Sequence, residues 1–111
     1  MVNETLGWLD QRAEEPNLSL TRTAAEHFAA QVLAWIAEDY DRLGSFLGWS
    51  GLSPADLRGR LNEPELLLAV IEFLLLDDAQ LIEACRALDY PPTTPLSARA
   101  ALPGGDDPHW T

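Results

Sequence analysis

The stretch that most restricts this chain is "LLLAVIEFLLL", residues 66–76, in which Glu72 is the only polar residue. Its eleven residues are too few to cross a bilayer, which takes about 20 apolar residues in a helix. A segment apolar nearly all round has to be wrapped on several sides by other parts of its own chain. It reads as the central helix of the fold, over 63–76. The remaining segments then have to be one-sided helices that cover it.

The punctuation of the sequence supplies such helices. A six-residue pattern occurs as "LSPADL" at 52–57, "LNEPEL" at 61–66 and "LDDAQL" at 76–81. With Ser53, Asn62 and Asp77 as N-caps, Asp56, Glu65 and Gln80 fall at the third helical position, where they can bond back to the cap. The flanking Leu pairs, Leu52 with Leu57, Leu61 with Leu66 and Leu76 with Leu81, are spaced as hydrophobic staples. Pro54 and Pro64 sit in the first turn, where a missing N–H costs nothing. Capping explains every position, and the uneven spacing of the copies argues against a solenoid. The pattern therefore starts helices, over about 53–61, 63–76 and 77–89, and does not repeat a ligand site.

Upstream, Thr23 and Glu26 are spaced as a capping box, followed by the stripe Phe28, Val32, Ile36 with Leu33 beside it. A second helix is expected from Asp39, with Leu43, Phe46 and Leu47 inward and Gly51 as its left-handed cap. Gly44 and Gly48 share one face of it, where small residues permit another helix to come close. Leu81, Cys85 and Leu88 form a later stripe that "DYPP" ends, and a last short helix is expected with Thr94 as cap and Pro95 at its first position. No stretch alternates with a period of two. The expected fold is all-α, a single compact bundle of about five helices with short capped turns. It occupies 19–103, after a weakly structured arm or short helix at 1–18 and before a mobile tail at 104–111.

Composition narrows the partners. The 111 residues suit one domain, and 47% apolar content is enough for a core. Eighteen acids stand against seven bases, all of them Arg, for a net charge of −11. Arg without Lys, with abundant Ala and Leu, suits a GC-rich bacterial source. So acidic a surface repels phosphate backbones and anionic lipids, and favours basic partners or simply solubility. The partner expected is another protein, basic in character, or the chain itself by self-association. A lone Cys85 forms no internal disulfide, and "MVNETLGWLDQR" carries no signal-peptide pattern, so a cytoplasmic protein is expected.

Catalytic and ligating constellations are sparse. His27, His109 and Cys85 have no metal-ligand spacing, and no phosphate loop, cofactor motif or Ser/His/Asp arrangement occurs. Glu72 is read as the face of the central helix that reaches solvent or an Arg, or as an acid of raised pKa. A small enzyme or ligand carrier is the third reading and needs a concavity near Glu72 or Cys85. The second is a DNA-binding regulator. Residues 42–61 form a helix–turn–helix-like unit with Arg42, Arg58 and Arg60 against Asp56, the one basic stretch of the chain. Its second helix is short and opens with Pro54 and Asp56, and the net charge opposes docking. The first reading is a protein-interaction or adaptor module. Its candidate surface is Gly48, Trp49, Arg58 and Arg60, because Trp is enriched at binding hot spots. Trp35 and Trp49 are otherwise read as closing the core, while Trp8 and Trp110 fall in the terminal segments.

Some of these residues carry a resemblance. "IAEDYDRLGSFLGWSGLSPADLR", then Pro64, then "AVIEFLLLDDAQL", and "ARAALPGG" at 98–105, resemble a family of small alphaproteobacterial proteins, domain of unknown function number thirty-five seventy-two. "DYPP" at 89–92 departs from it, where the family looks more like a second Gly-Leu turn. The resemblance implies a small helical protein and brings no catalytic residue.

Overall fold

In a computed structural model the described residues are 20–105. Six helices occupy them: α1 (Arg22–Ala37), α2 (Tyr40–Ser50), α3 (Pro54–Gly59), α4 (Pro64–Leu75), α5 (Asp78–Leu88) and α6 (Thr94–Ala101). No strand occurs among the described residues, and the fold is all-α. The arm expected at 1–18 and positions 106–111 of the expected tail lie outside them.

The apolar segment does take the centre. α4 packs against α1, α2, α5 and α6, and buries Leu66, Leu67, Val70, Ile71, Phe73 and Leu74. It shares that place with α1, which also touches four helices and buries Phe28, Val32, Leu33, Trp35 and Ile36. α6 lies against both. α3 contributes no buried residue; its half-buried Leu57 and the preceding Leu52 pack against the core. Among the described residues no helix is long and apolar enough to cross a membrane.

The caps follow the sequence unevenly. Ser53 and Asp56 make the full reciprocal box: the Ser53 Oγ accepts from the Asp56 N–H (3.0 Å) and the Asp56 carboxylate from the Ser53 N–H (3.1 Å). Asp77 caps α5 by accepting from the N–H groups of Ala79 and Gln80, but its own N–H goes to the Leu74 carbonyl, so Gln80 closes no box. The middle copy works differently. Glu63, not Asn62, is the N-cap of α4, and it makes no side-chain cap bond. The cause is Pro64: its fixed φ and missing N–H favour the first helical position, and the residue before a proline is held extended. Leu61 and Leu76, expected as staple partners, are 47% and 63% exposed.

Two further starts shift. α1 begins at Arg22 with Thr21 as cap, accepting from the Ala24 N–H (3.0 Å), so Thr23 is inside the first turn. Glu26 pairs with Arg22 (3.1 Å) and does not return to Thr23. α6 begins at Thr94 behind Thr93, and the Thr94 side chain is buried, where it packs and does not cap. At the other helix ends Gly51 takes the expected left-handed φ of 78°. Asp89 does the same at φ 65°, a conformation usually left to Gly, and the following Tyr90 packs edge-on against Phe28 (4.7 Å) and donates its hydroxyl proton to Gln31. This is how "DYPP" makes its turn without a glycine.

Candidate interaction surface

The corner between α2 and α3 begins at Phe46, which is fully buried and stacks edge-on with Phe73 of α4 (5.3 Å). Three residues later on α2, Trp49 rests one side on the same pair, 6.3 Å from Phe46 and 5.6 Å from Phe73, and leaves 45% of its surface in solvent. The two core tryptophans thus divide. Trp35 closes the core, and Trp49 is both a wall of the core and part of the surface. Trp8 and Trp110 lie outside the described residues.

Trp49 lines a shallow cleft of about 290 Å³ together with Leu52, Arg60, Leu66 and Ala69, with Glu65 on its rim. Arg60 is held there by Glu63 (3.6 Å), the residue that precedes α4. Of the four residues singled out in the sequence, the structure brings Trp49 and Arg60 to one cleft. Gly48 is exposed beside Trp49, and Arg58 is exposed on α3 without lining the cleft.

The glycine face of α2 does not do what its spacing suggests. A Cβ placed on Gly44 or Gly48 would meet nothing within 4 Å, so no helix of the described fold crosses there. Arg42 is likewise taken out of the basic stretch. Its guanidinium lies 3.7 Å over the Trp35 ring, donates to the Trp35 carbonyl (2.8 Å) and stands 3.8 Å from Asp39. Desolvated in this way it ties α2 to the end of α1.

The isolated groups resolve similarly. Glu72 faces Arg99 of α6 at 3.6 Å, which is how the central helix accommodates its one acid. The Glu72 side also lines an open cleft with Arg22, Glu63, Leu68, Pro103 and Gly104. Cys85 is buried, and burial raises its thiol pKa, the opposite of what a nucleophile needs. His27 is exposed. Among the described residues no three His, Cys, Asp or Glu side chains stand where they could hold a metal ion.

One surface was not legible in the sequence. Leu75, Leu81, Pro92, Leu96 and Ala100 line an open groove of about 600 Å³ where α4 ends beside α5 and α6. The signal available was the apolar residues on two faces of α6, with Pro95 and Ala98 on the buried one and Leu96 and Ala100 on the other.

Residues 22–105, nearly the whole described fold, match the family described as "Protein of unknown function (DUF3572)". The chain belongs to this family. The DUF3572 match takes in the corner, the groove and the Pro103–Gly105 turn, so both surfaces lie inside the matched region. It also spans "DYPP", where Asp89 takes the turn geometry of a glycine. No curated protein and no solved structure matches the chain.

Proposed function

We propose that this DUF3572 protein is a cytoplasmic protein-binding module acting through the α2–α3 corner. One observation carries the reading: Trp49 is anchored on Phe46 and Phe73 yet 45% exposed on a cleft rimmed by Arg60 and Glu65. A rigidly backed Trp beside an Arg is the composition of a binding hot spot, and a wall pinned by two aromatic neighbours loses little entropy on binding. The partner is a protein, with basic character favoured by the net charge of −11.

The DNA-reading alternative has less behind it. Of its three arginines, Arg42 is committed to Trp35, and α3 has only six residues. A gel shift with genomic fragments at low salt, lost in Arg58→Ala/Arg60→Ala, would reverse that ranking.

The test is affinity capture of the tagged chain from its own cell lysate after nuclease treatment, with Trp49→Ala and Arg60→Glu run in parallel. Circular dichroism establishes that each variant is folded. A stoichiometric protein retained by the wild type and lost from both folded variants is the expected result. Recovery of nuclease-sensitive material alone, or capture indifferent to both variants, would overturn the proposal.

A further inference from the structure

α6 is eight residues long, about 12 Å, and apolar on two opposite faces. Thr94, Pro95 and Ala98 are buried against α1 and α4. Leu96 and Ala100, one turn apart on the other side, continue the line of Pro92 and form one wall of the groove, with Leu75 and Leu81 completing it. Leu96 is 61% exposed. Leaving a side chain of this size in water beside an apolar groove is a standing cost.

The lining itself carries no charge, and the acids at the start of α5 favour a basic occupant. Asp77 and Asp78 lie one helical turn before Leu81 and Ile82, on the same faces of α5. Arg99, the cation of α6, is drawn away toward Glu72. A second copy of the chain would bring the same carboxylates against these and carry another charge of −11. A basic, amphipathic occupant would meet Asp77 and Asp78 at the α5 end, and a mostly apolar lining that also includes Thr93 and Ser97.

We infer that this groove receives an amphipathic helical segment of a partner protein, with Leu-like anchors one turn apart and basic residues on its flanks. The α6 wall is about two turns long, which matches two or three anchors in the manner of helix-in-groove recognition. It is a different face from the Trp49 corner, and the failure of either proposal leaves the other standing.

The test uses the full chain, labelled with ¹⁵N, and a synthetic Leu/Lys amphipathic peptide as probe. Controls are the same peptide with Glu for Lys, and a scrambled Leu/Lys peptide without helical spacing. Saturable amide shifts confined to 75–82 and 92–100 are expected with the first peptide only. Leu96→Glu should weaken binding roughly ten-fold although it adds negative charge, and Ala100→Glu should do the same. Shifts spread over the whole acidic surface, or binding that strengthens in Leu96→Glu, would mean charge attraction without a groove and would overturn the inference. So would no binding, or equal binding of the Glu peptide. A dimer in sedimentation that Leu96→Glu dissociates would assign the groove to a second copy. Displaced signals from residues 1–19 in Leu96→Glu without peptide would assign it to the chain's own N-terminal segment.

Discussion

Gly105 leaves no room for a side chain. A Cβ there would overlap the backbone carbonyl of Arg99, while Gly104 takes a left-handed φ of 87° and the Gly105 N–H donates to Leu102 (2.9 Å). Gly105→Ala is expected to dislodge the 103–105 turn and lower the melting temperature by several degrees. Gly44 and Gly48 are the opposite case, since they are helical and face open space. Gly44→Ala and Gly48→Ala should each stabilise the fold by up to about 1 kcal/mol in urea titration, the helix-propensity gain with no steric penalty. A loss of stability in either would mean that something approaches that face. Thr21 and Thr23 make a third contrast. Thr21→Ala removes the cap of α1 and should cost about 1 kcal/mol, whereas Thr23→Ala, inside the first turn, should cost nothing or gain slightly.

Among the elements, α2 and α3 are each held at their start by a carboxylate. Asp39 accepts from the N–H groups of Arg42 and Asp41, and the Arg42 bond in particular holds its pKa below the ordinary 3.8. Asp56 is lowered from the same value, chiefly by the backbone bond from Ser53. A carboxyl whose pKa is lower folded than unfolded favours the folded state wherever it is ionised in both. Its contribution is complete above the unfolded value and is lost as pH falls through the depressed folded one. Asp56→Asn should therefore lower the melting temperature at neutral pH. The gap to wild type should close as pH falls below 3.8, with the stability of the wild type itself declining over that range. A gap independent of pH would show that the bond does not depend on the charge. Both carboxylates are exposed, and salt will narrow the gap.

For the molecule as a whole, α4 is where single changes should matter most. Leu74 is fully buried between α4 and its neighbours, and Leu74→Ala should cost about 2–5 kcal/mol, a large share of the roughly 5–15 kcal/mol typical of a domain. Leu96→Ala, on the groove side of α6, should cost less than about 0.5 kcal/mol in the isolated protein. Chemical denaturation of the two variants checks both. Equal costs would mean that the groove is filled in the free protein. The Glu72–Arg99 pair between α4 and α6 is a third exposed or less on each side, so its rupture should change stability little beside the apolar contacts around it.

Local order was readable where one residue type carries a strong backbone preference. The Ser53–Asp56 box, the Asp39 and Asp77 caps and the Gly51 terminus follow from interactions within a turn, which the sequence contains in full. The central place of α4 follows as well, because a helix apolar nearly all round has no other stable position in water. Tertiary structure decided the rest. It moved the start of α1 from the expected Thr23 to Thr21, since helix entry also depends on Leu20 packing against the core. It took Arg42 out of the basic stretch and laid it on Trp35, and left Gly44 and Gly48 uncovered. It also joined Leu75, Leu81 and Leu96, from three helices, into one groove. Each of these is a contact between residues distant along the chain or an absence of one, and helical periodicity says which face a residue occupies but not what lies against that face.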